Sequence, residues 1–299
     1  MTVEPVTNLA EGQFALGDYV FGAPYDPVFL LESGLDVGGA EWRTQDVPHP
    51  SDDRMLFGRD LTTPPAWTFS LGVRDDAGDV YRVLDELAEA WGGWSVRDVP
   101  GEALPLSYCR AGRVRVVYGR PRQLDTETPV KITHDFRVVT ARFQLSDVRS
   151  YSGVASELTL TTVTTSTATG VVFPVVFPVV FGGSSSERAG WVTVDSPVPT
   201  PFTLVITGPS TGTATGFRLW STGWEISLPV TLRPGQTLTV DTATGVVAIN
   251  GQAVSTGIGR ASNLGARMQS GRQEVRFTAV DPSATVTATI RWREASTSW

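Results

Sequence analysis

One short segment of this sequence has the spacing of a hydrolytic nucleophile. Residues Gly208–Gly212 place Ser210 between two glycines, as in the nucleophile elbow of serine hydrolases. That chemistry requires a helix after the turn and a histidine later in the chain to take the proton of the serine. The two histidines, His49 and His134, both precede Ser210, and no helical pattern follows it. We therefore expect a turn between two strands here, without acyl-transfer chemistry.

Metal and acid–base chemistry find no better support. Cys109 and the two histidines show none of the short spacings that build zinc sites. The pair His134-Asp135 could be a base with its orienting acid, but such a pair beside a strand more often makes a structural hydrogen bond. The sequence predicts no enzyme, no metal and no cofactor. A hydrolase with two carboxylates stays open as an alternative, because its groups need only lie about 5 to 9 Å apart in space.

Two tryptophans form the best small-ligand signal. Trp220 and Trp224 flank a three-residue turn, and aromatic rings near the loops of a β-sandwich can stack on sugars. Trp224 is in phase with Ile226 and Leu228, so we expect it in the core. Trp220 is then left as the single candidate sugar contact.

A short row of arginines offers a second kind of binding surface. Arg113 and Arg115 alternate with two valines and should lie on one face of a strand. Two features argue against nucleic acid as the ligand of this row: the net charge of the chain is −7, and no aromatic side chains alternate with the arginines to stack on bases. We expect a subunit contact or a solvated face here, and no specific nucleic-acid binding.

The segment Val171–Phe181 repeats a Val-Val-Phe-Pro unit. Proline at every fourth position removes backbone donors and breaks helices, so the segment should run extended, with Phe173, Phe177 and Phe181 on one face. Two readings stay open: a strap buried against its own domains, or a stripe that contacts a neighbouring subunit. The segment has eleven residues where a membrane span needs about 20, and the start of the chain shows no secretory pattern. We expect no membrane insertion, and synthesis in the cytoplasm of the producing cell.

The elements that must position these residues are mainly strands. One helix is predicted after Asp79, with Val80, Val83, Leu87 and Trp91 at helical spacing. It should pack on an antiparallel sheet and so form an N-terminal α+β domain over 1–149. A linker rich in Thr, Ser, Gly, Val and Pro follows over 150–189. Short strands with turn signals over 190–299 predict a β-sandwich or jelly roll.

These features together resemble a known family. Gly58-Arg59-Asp60 followed by Trp67–Leu71, and the hairpin Tyr108–Arg122, resemble the N-terminal half of minor tail proteins from siphophages of actinobacteria. The repeat up to Phe181 and the pair of segments Leu238–Asp241 and Ile249–Gly251 resemble the linker and C-terminal half of those proteins.

The resemblance implies a distal tail protein of the virion with a ring-forming N-terminal domain and a galectin-like β-sandwich. Such a protein forms a homohexameric ring that joins the tail tube protein to the tape measure protein and the tail-tip or baseplate hub proteins, and lets the genome pass. The family has no catalytic residues, so it assigns none here. The alternative function is a carbohydrate-binding β-sandwich protein that attaches to host cell-surface glycans, and fold alone does not decide between them.

Overall fold

The computed structural model describes residues 4–75, 79–126, 136–162, 188–254 and 262–297. Two compact units make up the chain, one formed by Met1–Val154 with Ser296–Trp299 and the other by Ala155–Ala295. The second unit is thus inserted into the sequence of the first. Each unit has a hydrophobic core of its own.

The first unit combines a large antiparallel sheet with one long helix and one helical turn. Its elements in chain order are β1 (Phe14–Leu16), β2 (Tyr19–Phe21), β3 (Val28–Asp36), β4 (Glu41–Arg43), β5 (Val47–Pro48), β6 (Met55–Leu56), β7 (Leu61–Thr63), β8 (Ala66–Arg74), α1 (Val80–Gly92), α2 (Trp94–Arg97), β9 (Leu104–Arg110), β10 (Arg113–Thr126), β11 (Phe136–Leu145) and β12 (Ser150–Ser152). The main sheet has the strand order β2-β1-β9-β10-β11-β8-β3, and β12 pairs with β10. The predicted α+β architecture is confirmed for this unit.

The helix α1 lies where the hydrophobic spacing predicted it. The side chain of Asp79 accepts a hydrogen bond from the backbone N–H of Arg82 at the N-terminus, and Gly93 ends the helix in the left-handed region at φ 60°. The buried face packs on β8 and β10. Trp91 anchors it, because its ring centroid lies 5.8 Å from that of Phe69 and 6.4 Å from that of Phe143.

Residues 41–63 leave the main sheet and form a separate antiparallel arm. Strand β4 pairs with β7 and strand β5 pairs with β6, so the chain runs out and returns along itself. The sequence analysis did not predict these strands. They carry no alternation of apolar and polar residues, since neither face of the arm is covered by the rest of the unit.

The second unit is a β-sandwich. Its strands are β13 (Ser156–Thr161), β14 (Arg188–Val194), β15 (Phe202–Thr207), β16 (Ala214–Ser221), β17 (Trp224–Leu232), β18 (Thr237–Asp241), β19 (Val246–Ile249), β20 (Gln252–Ala253), β21 (Gly271–Val280) and β22 (Thr287–Trp292). The last two-residue strand, β23 (Ala295–Ser296), pairs with β12 and so belongs to the main sheet of the first unit. One sheet has the order β13-β22-β15-β18-β19-β20 and the other β14-β21-β16-β17. Their inner faces share one core, so the mainly β fold with a C-terminal sandwich is confirmed.

Turn residues set the register of two hairpins. Asn250 and Gly251 both have positive φ, at 50° and 78°, and join β19 to β20 by a two-residue turn. The side chain of Asn250 also accepts a hydrogen bond from the backbone N–H of Thr237 at 2.8 Å. Ala111 and Gly112, at 52° and 68°, close the hairpin between β9 and β10 in the same way.

The start of the predicted linker needs correction. Residues Ser150–Ser152 and Ser156–Thr161 were assigned to the linker 150–189, but they form strands paired to β10 and β22. Their Thr and Ser content reflects strands with one solvated face. The Val-Phe-Pro segment with Phe173, Phe177 and Phe181 lies outside the described residues, as does His134.

Candidate functional site

The residues that could have done chemistry occupy structural positions. Ser210 lies between β15 and β16, where its backbone N–H donates to the hydroxyl oxygen of Thr285 at 2.8 Å. The predicted turn between two strands is therefore confirmed. His49 lies on the arm, and its Nδ1 accepts a weak hydrogen bond from the N–H of Ser51 at 3.4 Å.

Neither a metal-binding cluster nor a membrane-crossing helix is found in the described part of the chain. No three His, Cys, Asp or Glu side chains come together there in a way that could hold a metal ion. No described helix is both long enough and apolar enough to cross a membrane.

Glu11 and Cys109 form a structural contact at the end of the β9–β10 hairpin. The carboxylate of Glu11 accepts hydrogen bonds from the backbone N–H groups of Ala111 at 2.8 Å and Gly112 at 2.9 Å. These bonds lower the pKa of Glu11. Burial, followed by the nearby Glu11 carboxylate, raises the pKa of the Cys109 thiol and so favours its protonated form.

The arm exposes large apolar side chains. Trp42 is 69% exposed and Phe57 is 84% exposed, while Val47, Met55 and Leu56 are each at least half exposed. The arm is nevertheless ordered by its own contacts. The N–H of Gly58 donates to Asp46 at 3.0 Å, and a Cβ at position 58 would lie 2.3 Å from the carbonyl oxygen of Gln45. The arm therefore presents a group of five large apolar side chains to solvent.

A groove opens at the base of the arm. It has a volume of about 150 Å³, and its apolar walls include Val37, Pro65, Trp67, Val117 and Leu145. A cavity of that size accommodates about one aromatic ring. The arm and the groove are different surfaces of the same unit.

The structure places the two arginines of the predicted row on strand β10. Arg113 is exposed and Arg115 half-buried on β10, so both remain on the surface. Arg120, further along the same strand, instead donates to the carbonyl oxygens of Glu102 at 2.7 Å and Val99 at 2.5 Å. It therefore holds the loop after α2. Whether Arg113 and Arg115 contact another subunit stays a prediction.

Trp220 and Trp224 lie on opposite faces of the sheet β14-β21-β16-β17. Trp224 is 6% exposed and lies in the core, as predicted, with its ring centroid 5.0 Å from that of Phe202. Trp220 is half-buried on the opposite, outer face, beneath the guanidinium of Arg218 at 4.7 Å.

Trp191, which the sequence analysis did not single out, lies on that same outer face. It is 57% exposed, and the guanidinium of Arg272 lies 4.4 Å from its ring centroid. In β14 the side chains of Val192 and Val194 point into the core, and Trp191 is out of phase with them. This alternation is the sequence signal that could have placed Trp191 on the outer face. Trp220 is therefore not alone on this face.

Comparison with known proteins finds matches among phage tail and baseplate proteins. Residues 195–295 match the family model described as siphovirus-type tail component, C-terminal domain. The fold matches the Dit protein of phage SPP1, described as a paradigm of the hub adsorption apparatus in phages that infect Gram-positive bacteria, at 12% identity and a TM-score of 0.57, over 95% of this chain and 98% of that chain. It also matches a chain of the phage P2 baseplate in its activated conformation with Ca, at 11% identity and a TM-score of 0.53, over 95% of this chain and 98% of that chain.

No curated protein matches the sequence. The family match and the fold confirm the resemblance drawn from the sequence: residues 195–295 match a siphovirus-type tail component C-terminal domain, and the chain has the fold of the Dit protein of phage SPP1.

Proposed function

We propose that this protein is a structural subunit of a long-tailed phage tail tip, where copies of it close into a ring that joins the tail tube to the baseplate and lets the genome pass. The observation that carries the proposal is the exposed apolar arm of residues 41–63 on a chain whose fold matches hub and baseplate proteins over nearly its full length. The proposed location is the virion.

The arm requires a partner. Monomeric proteins rarely expose contiguous apolar surface of this kind, because its burial releases about 25 cal/mol per Å². Trp42 and Phe57 also belong to the residue types that dominate protein interfaces. A second copy of the chain is the partner that the structure supports, since the groove lined by Trp67 and Leu145 has the volume for a ring such as that of Phe57.

This contact would be asymmetric. The arm of one copy would enter the groove of the next, so each copy uses two different surfaces, and repeating such a head-to-tail contact produces a closed ring or an open filament. Closure at six copies is the number that the family resemblance implies. The tail tube protein, the tape measure protein and the baseplate hub proteins are the proposed partners above and below the ring.

The other predicted contacts keep a place in this proposal. Arg113 and Arg115 lie on the surface of the same unit and are proposed to contact a neighbouring subunit. Phe173, Phe177 and Phe181 are proposed for the same role on sequence grounds alone.

The oligomeric state tests the proposal. Native mass spectrometry and negative-stain images of the full chain at micromolar concentration should show a six-membered ring. Substitution Phe57→Ser should raise the dissociation constant of each contact about 30-fold, because burying one phenylalanine contributes about 2 kcal/mol. The matched control is Tyr25→Ser, since Tyr25 is 63% exposed on the same unit but outside the arm.

Circular dichroism should stay unchanged in both variants, because neither side chain is in the core, and the melting temperature should fall only in Phe57→Ser, where the subunit contacts that stabilise the folded chain are lost. A ring that is lost in Phe57→Ser and kept in Tyr25→Ser supports the proposal. A monomeric wild-type chain, or a Phe57→Ser chain that assembles as well as wild type, would refute the role of the arm.

A further inference from the structure

The outer face of the β14-β21-β16-β17 sheet has the layout of a binding platform. Trp191 lies opposite Glu274 on β21, and Trp220 lies opposite Arg276, two residues further along the same strand. With strands about 4.8 Å apart and a rise of about 3.4 Å per residue, the two tryptophan Cα atoms are about 12 Å apart. That distance exceeds the width of one sugar ring, so the two indoles would contact different residues of a chain-like ligand.

Two Arg–Glu ion pairs lie beside the rings, and a third arginine, Arg272, lies outside these pairs. Arg218 donates to both carboxylate oxygens of Glu225, at 2.8 and 2.9 Å, and Arg276 donates to Glu274 at 3.0 Å. Arg272 lies over the ring of Trp191. It has no carboxylate within ion-pair distance in the described part of the chain. The most exposed ring of this face therefore lies beside a guanidinium with no anionic partner among those residues.

We propose that this face binds an anionic polysaccharide, with Trp191 and Trp220 stacking on sugar rings and Arg272 pairing with a carboxylate or phosphate group of the polymer. Indole rings present flat apolar surfaces to the C–H faces of sugars. The planar guanidinium matches carboxylate and phosphate geometry with two parallel hydrogen bonds. The Arg–Glu pairs on either side supply donors and acceptors for sugar hydroxyl groups.

The surroundings of the rings favour a glycan over a protein partner. The neighbours of the two indoles on this face are mainly charged, namely Arg218, Glu225, Glu274 and Arg276, and Ala189 is a small aliphatic neighbour beside Trp191. The buried centre of a protein interface is depleted of charged residues, whereas a sugar site needs polar groups beside an aromatic ring. The inference does not depend on ring assembly, because all of these residues belong to the second unit.

Titration calorimetry on the full chain at low ionic strength tests this site with four probes. Polygalacturonate and phosphomannan carry the two anionic groups on sugars, dextran is a neutral sugar polymer, and polyglutamate is a polyanion without sugar. We expect saturable binding of at least one of the first two and at least tenfold weaker binding of dextran and polyglutamate. Trp191→Ala, Trp220→Ala and Arg272→Gln should each weaken binding about tenfold, the loss expected for one stacking or charge-assisted contact.

The matched control is Trp94→Ala. Trp94 is 69% exposed in the first unit and also lies under an arginine, Arg97, at 4.4 Å. Its loss should leave binding unchanged. The proposal is overturned if neither acidic polysaccharide binds, if polyglutamate binds as well as they do, if Trp94→Ala has the same effect as Trp191→Ala, or if the three variants instead abolish binding to a purified tail protein.

Discussion

Asp281 provides the clearest quantitative test of how the second unit is held together. Its carboxylate is 6% exposed and accepts hydrogen bonds from the N–H groups of Ser283, Thr285 and Val286, and from the hydroxyl groups of Thr162 and Ser283. Burial alone would raise the pKa of Asp281, but these donors outweigh it and lower the pKa from 3.8 to about 2. One side chain thereby links the turn before β22 to the end of β13.

The magnitude follows from that pKa. The difference between 3.8 and about 2 corresponds to about 2 kcal/mol of stability, and access of solvent to the turn reduces this to between about 1 and 2 kcal/mol. Because the folded pKa is lowered, the contribution is present above about pH 4 and is lost as the pH falls through about 2. Substitution Asp281→Asn removes the charge and turns an NH₂ group toward at least two donors, so we expect a loss of about 2 to 4 kcal/mol at pH 7.

Urea unfolding at about pH 7 and at about pH 2.5 measures this effect, because the first pH lies above the titration range of Asp281 and the second lies near its lower end. The matched control is Asp241→Asn, a half-buried carboxylate at the end of β18 that accepts from the N–H of Ala243 at 2.9 Å and from the hydroxyl of Thr244 at 2.7 Å. The control should lose less than about 1 kcal/mol. Equal losses for the two variants, or a loss for Asp281→Asn that is as large at pH 2.5 as at pH 7, would refute the reasoning.

Two further predictions concern the first unit. Trp91→Ala should lower the free energy of unfolding of this unit by about 3 to 5 kcal/mol, because the ring is buried among three aromatic neighbours. Urea unfolding measures this loss, with Trp94→Ala as the exposed control. A loss below about 1 kcal/mol for Trp91→Ala would contradict the prediction. Gly58→Ala should disorder the arm without unfolding the unit, because the added Cβ would meet the carbonyl oxygen of Gln45. Limited proteolysis should then cut within 41–63 faster than in the matched Gly39→Ala variant, whose Cβ would meet nothing within 4 Å.

Local patterns predicted the elements whose reasons are local. The cap at Asp79, the spacing up to Trp91 and the glycine that follows were enough to locate α1. The turns at Ala111-Gly112 and Asn250-Gly251 were equally visible, because their positive φ angles need those residue types. Trp224 could be assigned to the core from its phase with Ile226 alone.

The candidate sites were less predictable because they depend on register between distant strands. Trp191 and Trp220 share a face only because β14 and β16 both pair with β21, which no spacing in the sequence reveals. The arm was missed for the opposite reason. Strands buried on neither face need no hydrophobic alternation, so residues 41–63 read as loop.

The insertion of the second unit into the sequence of the first has a consequence for cleavage of the chain. Two peptide connections, one after Val154 and one before Ser296, join the units. A cut before Ser296 leaves the connection after Val154 intact, whereas a cut after Val154 divides the chain into residues 1–154 and 155–299, which are then joined only by the non-covalent contacts of the residues after Ala295 with the first unit.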